Sequence, residues 1–264
     1  MKRAWTVACV VLLEMIRRKD IYVLAILMGA LLALLVSMDV FGLGGAAAYV
    51  ADIGLLATWV CTWFLAVTVS TRQLPQEESR GTVYALLAKP VTRLELIAGK
   101  WAGATLSVVV AMLALYALVF VVTILKGGQV DLLTGGEMCL LHGVAIGVMA
   151  AIGLAASTRL NHDAAATLTF VLTGAALLVA PRIPAFVAQS GGVRAGLLLF
   201  LYNVLPHFEV FDLRMRFVHR FGPVGPGVLA LSAAYGAALT AAFLALAWAA
   251  YRNKRFTRGT LSGY

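Results

Sequence analysis

Charge is what this sequence has least of. Only 12% of its 264 residues are charged while 62% are hydrophobic, against about a quarter charged in an ordinary soluble domain. That shortage excludes a water-soluble protein and leaves a polytopic membrane protein, in keeping with a mean hydropathy of +0.93. Cysteines at metal-binding spacing are lacking as well. Cys9, Cys61 and Cys139 are scattered through apolar sequence; they read as small buried hydrophobes and imply no disulfide framework. No GxxxxGK[ST] run occurs anywhere, so the chain lacks the usual phosphate-binding route to energising itself. The net charge of +9 would suit nucleic acid in a soluble protein. In a membrane protein the distribution of charge counts for more, and no nucleic-acid partner is implied.

Apolar runs are what is there in quantity. Six are expected to cross about 30 Å of hydrocarbon: Ile21–Met38, Ile53–Ser70, Trp101–Leu125, Met138–Thr158, Ala164–Ala180 and Val228–Tyr251. The only Asp, Glu, Lys, Arg or His in any of them is His142. Ionisable groups within a bilayer mark ion paths and proton relays, so their scarcity argues against a proton-coupled carrier or a charged pore. The connections are read as a Gly- and Ala-rich Asp39–Asp52, a polar turn over Gln129–Glu137, a tight turn at Arg159–Asp163, and Pro181 to Pro184 ending the fifth span.

Two further segments do not span. Residues 1–20 begin with Lys2, Arg3 and an apolar run to Leu13, as a signal peptide does, but Glu14 and Arg17-Arg18-Lys19 follow without a small-residue cleavage site. Trp5, Cys9, Leu12 and Ile16 keep helical spacing, so a retained helix lying in the interface is expected. In residues 185–227 the apolar run Leu197–Leu205 is too short to cross and is followed by charged sequence from Pro206 to Arg216. The expectation there is one or two helices at, or dipping into, the outer surface. The fold is thus all-α: one transmembrane domain over 1–264 with six spans, an interfacial helix, a charged loop over 71–100 and an outer helical segment.

Six spans put both termini on one side. That side holds fifteen Lys and Arg: five before the first span, five in the 71–100 loop, Arg159, and four in the tail (Arg252, Lys254, Arg255 and Arg258). The other side holds six. The excess of positive charge inside places both termini and the loop in the cytoplasm of a plasma (bacterial inner) membrane, with the tail against anionic lipid.

The loop, Arg72–Lys100, carries most of the chemistry. Arg72, Arg80, Lys89, Arg93 and Lys100 alternate with Glu77, Glu78 and Glu95, and apolar residues recur at helical spacing at Val83, Leu86 and Leu87, then Leu94, Ile97 and Ala98. Pro75 with Glu77 and Glu78 fits the first turn of a helix, where the dipole favours acids. Pro90 breaks the pattern, and Thr92-x-x-Glu95 reads as a capping box restarting it. Two short amphipathic helices at the membrane surface are expected, displaying a polar docking face.

Glu77-Glu-Ser-Arg-Gly-Thr82, then Leu86-Leu87, Pro90-Val-Thr-Arg93, Glu95 and Gly99-Lys100 resemble the hallmark of type-2 ABC exporter permeases. The interfacial helix, six spans and outer segment extend the resemblance over nearly the whole chain. It implies an ABC-type ATP-binding subunit as partner, holding ATP and magnesium that this chain does not bind. It also implies a second permease copy, the same or a paralogue, and a first cytoplasmic loop that acts as the coupling helix. That role falls on Glu77, Glu78, Arg80, Gly81, Thr82, Pro90, Arg93, Glu95, Gly99 and Lys100. Leu205-Pro-His-Phe-Glu-Val-Phe-Asp212 is similar to a segment of the branch that includes nitrous-oxide-reductase maturation permeases.

Other motifs were weighed on their chemistry. Met138-Cys139-x-x-His142 brings thioether, thiol and imidazole to one helix end, donors suited to Cu(I), or is a chance grouping. Glu77-Glu78-x-Arg80 resembles the paired glutamates of intramembrane CAAX-type metalloproteases, but only His142 lies in a span to hold zinc. Gly99-x-x-x-Gly103 and Gly143-x-x-x-Gly147-x-x-x-Ala151 allow close helix packing, within the subunit or at a dimer interface. Against the transporter stands an ATPase-linked scaffold or sensor without cargo.

Overall fold

The computed structural model describes residues 2–17, 26–33, 46–79 and 92–252, and every regular element among them is helical. Helix α1 is Lys2–Arg17 and α2 covers 26–33. The long helices are α3, Ala46–Ser79; α4, Arg93–Leu125; α5, Leu132–Ser157; and α6, His162–Leu178. A 3-10 turn at Ala180–Arg182 leads to α7, Ile183–Ala188, and α8, Gly192–Val204. A second 3-10 turn, Phe208–Phe211, precedes α9, Arg214–Val218. The last helix is α10, Pro226–Arg252.

Among the described residues five helices are long and apolar enough to cross a membrane: Ala47–Ser79, Arg93–Leu125, Leu132–Ser157, His162–Ala188 and Pro226–Arg252. They match the second to sixth expected spans. Of the first, Ile21–Met38, only the helical 26–33 lies within the described residues.

Local chemistry sets the helix ends. Thr92 and Glu95 form the expected capping box at the start of α4. Asp131 caps α5 by accepting from the Leu133 amide. The Thr134 hydroxyl, and then that amide, hold the Asp131 carboxyl below the usual carboxylate range. Helix α5 therefore begins within the expected polar turn, at Leu132. Asn161 caps α6. Gly127, at φ +76°, ends α4 in a left-handed turn in which Gly128 N donates to the Thr123 carbonyl at 2.9 Å. Inside the helices, Thr58, Thr62, Ser70 and Thr71 return their hydroxyls to carbonyls one turn back at 2.6–2.9 Å. A helix can then bury hydroxyls where there is no water to satisfy them.

Successive long helices run antiparallel, so their ends gather in two clusters. At one end the close of α3 meets α5 and α6: Gly153 lies against Ser70 and Thr71 is 3.4 Å from His162. At the other, Glu137 accepts from the Val224 amide at 2.7 Å, and Arg220 donates to Gln129 at 3.3 Å. Helix α6 ends and α10 begins at this second end, so the segment between them leaves and returns on one side. Within it, Gly192–Val204 and Phe208–Val218 are bent by 45°.

Several expectations need correcting. Helix α3 starts at Ala46, so the Gly- and Ala-rich connection does not extend to Asp52. More importantly, α3 passes straight through Pro75 to Ser79. Glu77 and Glu78 therefore end the second span's helix instead of starting another. Fully buried Leu74, packed with Leu96, Ile97 and Tyr251, holds the turn that the proline weakens. On the far side of the loop, α4 runs unbroken from Arg93 into the third span. The expected start of the first surface helix is thus the end of the second span's helix, and the second surface helix is a continuation into the third span; residues 80–91, with Val83, Leu86 and Leu87 of the first, lie outside the described residues. Cys9 is exposed, unlike buried Cys61.

Helix α1 lies on α4 through Ala8 and Val11 and turns Trp5 and Cys9 outward. Gly103 makes this contact possible: a Cβ there would stand 2.7 Å from Val11 Cβ and 2.9 Å from the Ala8 carbonyl oxygen. Gly147 is likewise internal, its carbonyl accepting from Trp101 Nε1 at 2.9 Å. Both glycine motifs therefore use at least one glycine within the subunit. Gly103→Val is expected to lower stability by about 1–3 kcal/mol, because backbone stands in the way. Gly136→Ala, with nothing within 4 Å of the added carbon, should leave it unchanged or slightly raised. Thermal unfolding of the detergent-solubilised chain measures both.

Candidate functional site

The residues expected to couple are gathered where α3 ends, α4 begins and α10 ends. Lys100 is on the third turn of α4, with its side chain only 5% exposed. An ammonium group so placed requires an opposite charge. It forms an ion pair with Glu77, whose side chain is 17% exposed, and lies 3.4 Å from Gln73 Oε1 one turn earlier on α3. Glu77 sits at a helix C-terminus, where the dipole disfavours an acid, and Lys100 offsets that penalty. The pair pins the last turns of α3 to the first turns of α4.

Arg93 makes the second tie. Its Nη1 donates to the Tyr251 carbonyl at 2.5 Å, and its guanidinium lies 5.7 Å from the centre of the Tyr251 ring. A cation on the last carbonyls of α10 is favoured by that helix's dipole. Glu95 faces back to Thr92, accepting from its amide at 2.9 Å and its hydroxyl at 3.0 Å. Gly99 is buried and Glu78 half-buried. Of the expected coupling residues, Glu77, Glu78, Arg93, Glu95, Gly99 and Lys100 therefore meet at one end of the bundle, while Arg80, Gly81, Thr82 and Pro90 lie outside the described residues. Glu77 and Lys100 face each other and not an open surface. Gln73 and Tyr251 went unnoticed in the sequence; only the position of Tyr251 at the end of the last apolar run marked it.

The Met138, Cys139, His142 group is used differently. His142 is 1% exposed. Its Nδ1 is 2.6 Å from the Tyr116 hydroxyl and its Nε2 2.9 Å from Thr62 Oγ1, while Trp59 stacks on the ring at 4.0 Å and 3°. Both ring nitrogens thus have hydroxyl partners on α4 and α3, which joins three helices. Among the described residues no three His, Cys, Asp or Glu come together as a metal site would need. The other face of this network is met from outside: the Arg214 guanidinium is 5.6 Å from the Trp59 ring centre and grips Asp212 in a two-pronged pair at 2.7–3.0 Å.

Removing one partner of the Lys100–Glu77 pair leaves a buried charge, whereas removing both does not. Lys100→Met and Glu77→Gln should each destabilise the chain by about 3 kcal/mol, and the double variant by less than the sum of the two. A double-mutant cycle in thermal unfolding checks this; strict additivity would show that the two side chains do not interact.

No curated protein matches the chain. A family model described as ABC-2 family transporter protein matches residues 4–255. The match is to the family and does not carry the narrower likeness of Leu205–Asp212 to the nitrous-oxide-reductase maturation branch. With its all-helical, multi-pass architecture and nearly its whole length matched, the chain belongs to the ABC-2 family of transporter proteins, as a type-2 ABC permease.

Proposed function

We propose that this permease is the membrane half of an ATP-driven exporter. A separate ABC-type subunit binds and hydrolyses ATP with magnesium, and two permease copies move cargo out across the plasma membrane. The observation that carries this reading is the pair of ties at one end of the bundle. Residues 80–91 connect Ser79 to Thr92, so they leave and re-enter the bundle at Glu77–Lys100 and Arg93–Tyr251. A displacement of that segment by a partner would be passed to α3, α4 and α10 together, and these helices extend to the opposite end. Packed helices transmit such a shift as a block because close-packed interiors deform little. The excess of Lys and Arg on the same side supports a cytoplasmic location for this end and for both termini.

The tagged chain, extracted in mild detergent, is expected to carry a stoichiometric ATP-binding subunit. Glu78→Ala should change that partner's ATPase rate by at least about fivefold, the lower range of coupling between sites, with the chain still folded. A monodisperse, folded complex without an ATPase would overturn the reading. The orientation has its own test: Tyr84→Cys should react with an impermeant thiol reagent only from the cytoplasmic side.

A further inference from the structure

A recess of about 340 Å³ opens between α3, the end of α6 and the outer segment, at the lower end of the size range of small-ligand sites. Its back wall is one stripe of α3, Leu56, Trp59, Val60 and Trp63, at the i, i+3, i+4, i+7 spacing of a single helix face. Leu178 at the end of α6 and Pro181 in the 3-10 turn after it close the recess. The wall is held in place before anything enters. Trp59 is clamped between His142 and Arg214, and Trp63 donates its Nε1–H to Thr173 Oγ1 at 2.8 Å. Gly174 leaves the room Trp63 needs, since a Cβ there would lie 3.3 Å from the indole. Leu56, Val60 and Leu178 remain about half exposed, at 48%, 51% and 57%, so the recess opens sideways along the apolar flank of the bundle.

The charged groups of the lining, Glu209, Asp212 and Arg214, all come from the segment between α8 and α10, which forms one lip. Asp212 and Arg214 cancel each other in their two-pronged pair. Glu209 is left as the charge without a counter-ion in the lining; it is exposed, and its hydrogen bond comes from the neutral Tyr202 hydroxyl at 3.3 Å. Nearby Arg182 turns its guanidinium to the Leu178 carbonyl and does not line the recess. An apolar, aromatic wall ending in one unbalanced carboxylate complements a molecule with an apolar tail and a cationic head.

We infer that this recess binds a cationic amphiphile of the alkylammonium class, with the tail along Leu56–Trp63 and the ammonium at Glu209. That such a molecule is the cargo rests on the exporter reading; that it binds here does not. The sideways opening admits it from the membrane, and the lip lies at the end of the bundle opposite the Lys100–Glu77 tie.

The test is photolabelling of the purified, monodisperse chain in an uncharged maltoside detergent. The probe is dodecyltrimethylammonium carrying a diazirine at its tail end, with labelled peptides mapped by mass spectrometry. Labelling is expected in Leu56–Trp63 and Leu177–Pro181. Unmodified dodecyltrimethylammonium should suppress it, and dodecyl sulfate at the same low concentration should not. Glu209→Gln should weaken competition about tenfold, the loss of one charge-assisted contact, and Glu209→Asp should restore most of it. Equal suppression by the sulfate, labelling spread evenly over all lipid-facing helices, or an unchanged Glu209→Gln variant would each overturn the proposal. Because no ATPase enters this experiment, failure here leaves the exporter reading standing, and absence of an ATPase partner leaves this binding result standing.

Discussion

A lysine ammonium buried at the end of an apolar bundle dictates much of what surrounds it. Lys100 cannot remain there without an anion, and its anion is Glu77 on a different helix. Glu77 in turn occupies the C-terminal turn of α3, where backbone carbonyls repel it, so each group makes the other tolerable. The requirement holds the last turns of α3 against the first turns of α4. With Arg93 on the closing carbonyl of α10, the ends of three long helices are held together, and whatever pulls the segment between α3 and α4 pulls on all three.

The body of the bundle is built differently, because lipid supplies neither water nor a hydrophobic force between helices. Hydroxyls fold back on their own helices, and glycines such as Gly103 and Gly153 admit neighbouring atoms to close contact. Polar links also join helices: His142 takes hydroxyls on both ring nitrogens, and Trp101 and Trp63 each donate across a helix boundary. The charged contacts among the described residues gather at the two ends. One end carries the Lys100–Glu77 and Arg93–Tyr251 ties; the other carries Glu137, Arg220 and the Asp212–Arg214 pair that seat the segment before α10. The recess beside Trp59 and Trp63 follows from this seating, because the outer segment leans on α3 through Arg214 and leaves the adjacent stripe uncovered.

Much of this architecture was legible in the sequence. The second to sixth spans, the Thr92–Glu95 capping box and the turn at Asn161 depend on runs of apolar residues or on side chains that meet their own backbone within a few positions. Such information is local, and a linear reading recovers it. The reading failed where tertiary packing outweighed local rules. A proline followed by two glutamates resembles a helix start, yet α3 continues through it, because Leu74 is buried among residues of α4 and α10.

What the sequence alone determined, then, is that the chain lives in a bilayer and which of its apolar runs, from the second to the last, are able to cross it. Hydrophobic length and charge placement decide these regardless of how the helices pack. The tertiary structure alone decided which charges meet. Glu77 finds Lys100, Arg93 finds Tyr251 at a separation of 158 residues, and Arg214 lies over Trp59. Pairings of that kind depend on which helix faces adjoin once the bundle closes. No local spacing encodes them, since their energy is realised only when distant segments are desolvated against one another.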